Sequence, residues 1–93
     1  PPYRLEKGAD HMGIKVGEVL PLRVLFYGMM VSSACDASNQ IAHHISGNIP
    51  KFTHEMNEYL KKIGCKDTHF LNPHGLYHPE HVSTAHDLAQ MTR

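Results

Sequence analysis

Between Leu22 and Met30 the apolar side chains Leu22, Leu25, Phe26, Met29 and Met30 recur at three- and four-residue spacing. That period is one face of an α-helix. Pro21 precedes it, at a place where a missing amide hydrogen costs nothing. Val24 and Val31 add apolar surface on the other face, so the pattern predicts a buried helix of about three turns wrapped on several sides. Upstream, residues 1–13 are polar and aperiodic. Gly13-Ile14-Lys15-Val16-Gly17-Glu18-Val19-Leu20 alternates weakly and reads as a short strand or turn.

The small polar run Ser32-Ser33-Ala34-Cys35-Asp36 breaks this pattern, and Asp36 is placed to cap a second helix. Ala37, Ile41 and Ile45 fall on one face of that helix, with Ala42 beside them, and Ser46-Gly47 ends it. Asn48 then caps a third helix with Pro50 in its first turn. Phe52, Met56, Tyr59, Leu60 and Ile63 form its expected apolar stripe, and Glu55, Glu58, Lys61 and Lys62 its wet side. Gly64 closes it. Thr68-His69-Phe70-Leu71 reads as a short extended piece and Asn72-Pro73-His74-Gly75 as a turn. Ser83 is the expected cap of a last helix carrying Ala85, Leu88 and Met91. The expected class is mainly α: three to four packed helices with short extended segments, and a serine-bearing turn between the first two.

Composition narrows the function. The 93 residues carry 9 basic and 9 acidic side chains, so the formal charge is zero and the lysines are scattered. A nucleic-acid partner calls for a basic face, so none is expected. At 41% hydrophobic the chain has enough apolar surface to fold. Its longest apolar run, Val24 to Val31, falls far short of the ~18–20 residues of a membrane span. Neither a signal core nor an anchor is legible, and both ends look like cuts within a longer protein. Nine histidines make the charge sensitive to mild acid.

Three groups of residues are candidates for chemistry. His74, His78, His81 and His86 crowd one stretch, but their spacing fits no compact zinc site, and turn and surface roles are preferred. His54-Glu55-Met56-Asn57-Glu58 lacks the second histidine of a helical zinc motif. No metal or other cofactor is expected. Cys35, before a helix N-terminus, is a conceivable nucleophile with a histidine partner, though buried packing is the simpler reading. Cys65, after Gly64, has no polar company and reads as core. The serines at 32 and 33, taken alone, are a loop beside a helix cap.

The sequence around them changes that weight. Leu25-Phe26-Tyr27-Gly28-Met29-Met30-Val31-Ser32-Ser33-Ala34-Cys35-Asp36-Ala37-Ser38-Asn39 resembles the region of the second active-site motif in D-alanyl-D-alanine carboxypeptidases, the low-molecular-mass penicillin-binding proteins. The likeness continues through Met56-Asn57-Glu58 and through Ile63-Gly64-Cys65-Lys66-Asp67-Thr68-His69-Phe70-Leu71-Asn72-Pro73-His74-Gly75-Leu76. It closes on His81-Val82-Ser83-Thr84-Ala85-His86-Asp87-Leu88-Ala89, and upstream Gly13-Ile14-Lys15-Val16-Gly17-Glu18 also fits. It covers about positions 12–93.

The resemblance implies a β-lactamase-like serine peptidase fold with three motifs around one cleft. A serine three residues before a lysine attacks the peptide carbonyl. A Ser-x-Asn motif relays the proton and holds the substrate amide, and a Lys-Thr-Gly strand recognises the substrate carboxylate. Neither the first nor the third motif occurs here; in the family one lies before this region and the other after it. Residues 1–93 therefore correspond to the central, mostly helical part of such a domain, expected to be inactive in isolation. Ser33-Ala34-Cys35 stands at the Ser-x-Asn positions. Ser33 matches as the proton relay, whereas Cys35 replaces the substrate-binding asparagine, and a thiol cannot reproduce an amide's acceptor and two donors.

The implied partners are peptidoglycan stem peptides ending in D-Ala-D-Ala, with β-lactams reacting at the nucleophile outside these residues. The implied location is extracytoplasmic. In that oxidising setting Cys35 and Cys65 are not expected to pair. Two alternatives remain: a non-catalytic helical binding module of the same descent, and a histidine-rich metal-binding domain. Apolar surface left uncovered would favour self-association.

Overall fold

The computed structural model describes residues 8–93, and the expectations for residues 1–7 lie outside it. Among the described residues there are four helices: α1 (Leu22–Ser32), α2 (Cys35–Ser46), α3 (Ile49–Lys62) and α4 (Ala85–Thr92). The mainly helical class and the number of helices agree with the hydrophobic periodicity. Residues 14–20 form a strap rather than a strand. It is folded by a turn in which the Glu18 amide donates to the Lys15 carbonyl at 3.1 Å and the Lys15 amide to Glu18 Oε1 at 3.0 Å.

The helix boundaries follow the punctuation residues. Pro21 is the N-cap of α1. Gly47, at φ 85°, ends α2. The Asn48 side chain caps α3 by accepting from the Lys51 amide at 2.7 Å. At the far end of α3 the Gly64 amide donates to the Lys61 carbonyl and the Cys65 amide to the Leu60 carbonyl. Those paired bonds, with Gly64 at φ 93°, are a Schellman C-cap. Two expected caps are corrected. Asp36 lies inside α2 and makes no cap, and the cap of α4 is Thr84, which accepts from the Asp87 amide at 3.0 Å. Ser83 instead hydrogen-bonds Thr68, oxygen to oxygen, at 2.8 Å.

The core is small and lies where α1 meets α2. Leu25, Ala34, Ala37 and Ile41 are buried together, with Ile14, Leu20 and Met29 packed partly against them. α2 is the central element, in contact with both α1 and α3, and its Ala37, Ile41 and Ala42 face inward as expected. Ile45 does not; it is exposed.

The expectation that α1 is wrapped on several sides fails in this chain. Leu25 alone among its residues is buried, while Met30 and Val31 are 75% and 78% exposed. The apolar period was real, but only one of its edges meets a neighbour here. On α3 the inward positions are Thr53, Asn57 and Leu60, with Tyr59 exposed. The stripe read from hydrophobicity is thus rotated toward a polar row that forms hydrogen bonds. α4 likewise turns Asp87 inward and leaves Leu88 outside. None of the helices described is long and apolar enough to cross a membrane.

Candidate functional site

The turn between α1 and α2 places the serine cluster. Ser33 adopts φ 52°, ψ 36°, the left-handed conformation, and among the described residues no other non-glycine residue has a positive φ. A side chain there is disfavoured by roughly 1 kcal/mol or more. The conformation persists because the Ala34 amide reaches back to the Gly28 carbonyl at 3.0 Å, closing the end of α1. Ser33 is exposed, while Ala34 and Cys35 are buried. The turn thus offers the Ser33 hydroxyl to solvent and tucks Cys35 beneath it, the thiol sulfur 3.9 Å from the Ser33 carbonyl oxygen.

The N-terminus of α2 is buckled to the strap. The Cys35 amide donates to the Asp10 carbonyl at 2.8 Å. The Asp36 carboxylate accepts from the Met12 amide at 3.0 Å, the Ile14 amide at 3.0 Å and the Ala37 amide at 2.9 Å. Burial pushes the Asp36 carboxyl up, but the Met12, Ile14, Ala37 and Gly13 amides together hold it below the ordinary carboxylate range. The aspartate read as a helix cap is therefore a clamp holding residues 10–14 over the junction. Close approach follows: a Cβ on Gly28 would lie 2.5 Å from Met12 Sδ.

A second polar centre joins the last helix to the body. Asp87 is 2% exposed. Its carboxylate accepts from Thr68 Oγ1 at 2.7 Å and from the Asp67 amide at 3.0 Å, and His86 Nδ1 lies 3.6 Å away. The Thr68 hydroxyl first of all, then the Asp67 amide and His86, hold its carboxyl below the usual range against the opposing effect of burial. Cys65 is fully buried as expected, but not without polar company, since its thiol donates to the Asp87 carbonyl at 3.5 Å. Burial, then the Asp87 charge, pushes the Cys65 thiol up, which opposes thiolate chemistry there. Cys35 and Cys65 form no disulfide.

The histidine-rich stretch is an ordered loop. Asn57, on α3, brackets Phe70 by donating to its carbonyl and accepting from its amide, each at 2.8 Å. His69 and Val82 form an antiparallel bridge. Asn72 Oδ1 accepts from the His74 and Gly75 amides at 3.2 and 2.6 Å, building the expected turn. His74, His78 and His81 each accept a backbone amide on Nδ1. Among the described residues no group of three or more His, Cys, Asp or Glu side chains is placed to hold a metal ion.

A concavity of about 500 Å³ lies elsewhere, between the strap and the first two helices, lined by Val16, Val19, Leu22, Leu25, Gln40 and His43 among others. It includes none of residues 32–36, so the exposed serine and this cavity are separate features. Sequence periodicity missed Asp36 as a clamp and Asn57 and Asp87 as buried tethers. A signal was present, since each is a polar residue at a helical position that packing would otherwise fill with an apolar one.

The chain belongs to the D-alanyl-D-alanine carboxypeptidases, whose sequence profile matches residues 2–93. It is 41% identical over 86 residues to the D-alanyl-D-alanine carboxypeptidase DacD of Salmonella typhimurium, covering 92% of this chain and 22% of the relative. To DacA of Haemophilus influenzae it is 47% identical over 62 residues, 67% of this chain and 16% of the relative. Its fold superposes on penicillin binding protein 6B from Escherichia coli with a TM-score of 0.88 at 38% identity, covering 94% of this chain and 27% of that one. The chain thus spans about a fifth of the length of such relatives.

Proposed function

We propose that these residues form the central, mostly helical part of a serine-type D-Ala-D-Ala carboxypeptidase domain that trims peptidoglycan stem peptides outside the cytoplasmic membrane. The observation that carries the proposal is the exposed Ser33 on the interhelical turn, within a chain whose family match runs over residues 2–93. In this reading a serine hydroxyl outside these residues attacks the carbonyl of the D-Ala-D-Ala bond, activated by a lysine three residues on. The amide bond breaks, terminal D-alanine leaves with a proton, and water hydrolyses the acyl ester. β-Lactams acylate the same serine. Ser33 passes the proton, being the exposed hydroxyl of the second motif.

Cys35 stands where the family holds the substrate amide with asparagine. Its thiol is buried and directed toward the Ser33 carbonyl, so this contact with substrate is weakened by about 1–3 kcal/mol. Covalent labelling with a fluorescent penicillin tests the proposal. The full-length protein is expected to label and to release D-alanine, and residues 1–93 alone to do neither. A full-length protein that does not label overturns it.

Cys35 also favours a second reading, a non-catalytic helical module of the same descent that binds a cell-wall peptide or a protein partner. That reading replaces the first if the full-length protein lacks a serine three residues before a lysine. The exposed apolar side of α1 further supports self-association of the isolated chain, with Tyr27, Met30 and Val31 as the contact.

A further inference from the structure

The histidines of the 69–82 loop have no part in the proposed reaction, yet three of them are used in one chemically specific way. His81 Nδ1 accepts from the Leu71 amide at 3.0 Å, His78 Nδ1 from the Glu80 amide at 3.1 Å and His74 Nδ1 from the Leu76 amide at 3.3 Å. An imidazole nitrogen accepts only when it carries no proton, so each of these bonds requires an unprotonated Nδ1. A second proton converts Nδ1 from acceptor to donor and sets it against a backbone N–H. We propose that the 71–80 segment is held by a proton-released latch, closed by neutral His81 and opened in mild acid when it becomes imidazolium.

The surroundings confine the release to that segment. Its ends are held by groups that do not titrate in this range: Asn57 on both sides of the Phe70 backbone, the bridge between His69 and Val82, and the Thr68–Ser83 hydrogen bond. The His81 ring stacks on Phe70 with centroids 4.9 Å apart, so the residue that latches Leu71 rests on the anchored one. The titratable groups acting on His81 are His78 and His69. α3 meets the loop through uncharged Asn57, and the Asp87–His86 pair of α4 engages Thr68 and Asp67 instead.

Burial first, then His78 and His69, pushes the His81 imidazole below its ordinary value. Its neutral form is thus favoured in the fold. The contribution to stability is complete above about pH 6.5, the unfolded value, and is lost as pH falls from there through the folded one.

The test is a nuclear magnetic resonance titration of the full chain from pH 7.5 to 5, following imidazole nitrogens and backbone amides together. At pH 7.5 the His81 ring is expected as the Nε2–H tautomer. As His81 protonates, protection of the Leu71 amide, corrected for intrinsic exchange, should fall about fivefold or more, the loss of one net hydrogen bond. Protection at Phe70 and Val82 should persist. His81→Asn offers an uncharged acceptor near the Nδ1 position and should make the Leu71 amide insensitive to pH. An Nδ1–H tautomer at pH 7.5, or Leu71 protection unchanged while His81 titrates, overturns the proposal. So does pH dependence at Leu71 that survives in a folded His81→Asn protein.

Discussion

Asn57 is the single side chain on which the join between α3 and the loop most depends. Its amide is buried and makes two 2.8 Å hydrogen bonds to the backbone of Phe70, one in each direction. Asn57→Ala deletes both and leaves the Phe70 amide and carbonyl short of partners in a half-buried setting. Two net hydrogen bonds at about 1 kcal/mol each, plus the desolvation of groups left unmatched, amount to roughly 2–4 kcal/mol. Alanine is the better helix former by about 0.6 kcal/mol, which opposes the loss without cancelling it. The expected net destabilisation is about 2–3 kcal/mol, a lowering of Tm by roughly 10–20 °C in a chain of this size. Urea unfolding followed by circular dichroism at pH 7 measures it, with an unchanged m-value expected. Glu58→Ala, the next residue on the exposed side and paired with Lys61 at 3.3 Å, should cost less than about 0.5 kcal/mol. An Asn57→Ala loss no larger than that of Glu58→Ala would refute the reasoning.

Asp36→Ala should free the strap: the Met12 and Ile14 amides lose protection in hydrogen exchange and stability falls by about 2–3 kcal/mol, whereas unchanged protection would show that the clamp is not formed. Because Asp36 and Asp87 are both held below the usual carboxylate range, the unfolded chain binds protons first on acidification. Their contribution is present above about pH 3.9 and is lost as pH falls through the lower folded values; a stability flat from pH 5 to 2 would contradict this. Gly28→Ala sets a helix-propensity gain of about 0.5–1 kcal/mol against the approach of Met12 Sδ at the end of a flexible, partly exposed side chain, so a change within about 1 kcal/mol is expected. Gly47→Ala, at φ 85°, should lose about 1 kcal/mol with no such offset; equal effects of the two glycine substitutions on Tm would remove the distinction. Met30→Glu with Val31→Lys should convert any concentration-dependent oligomer of the isolated chain to monomer in sedimentation, and an unaltered oligomer would place the contact elsewhere.

Punctuation residues carry their meaning locally, which is why so much of the fold was legible. Pro21, Gly47, Asn48, Gly64 and the Asn72 turn act through backbone geometry and through hydrogen bonds spanning a few residues. The same holds for the break between α1 and α2, which falls within the small polar run and leaves Ser33 and Ala34 between the two helices. The caps assigned to Asp36 and Ser83 failed for one shared reason. A short polar side chain near a helix start has a local partner available, but here distant partners took it: the strap amides for Asp36 and Thr68 for Ser83.

What the sequence by itself determined is the order and limits of the helices and the family. All of these reside in near-neighbour chemistry or in long strings of residue identity. Only the tertiary structure decided which side of each helix meets a neighbour: α1 buries Leu25 and leaves Met30 and Val31 in solvent, and α3 turns Thr53 and Asn57 inward. Hydrophobic periodicity reports the faces that favour burial, whereas burial itself depends on which surfaces lie within reach. Across 13 residues Asn57 finds Phe70, and across 20 Asp87 finds Asp67. Such pairings depend on chain closure in space, which no local pattern encodes.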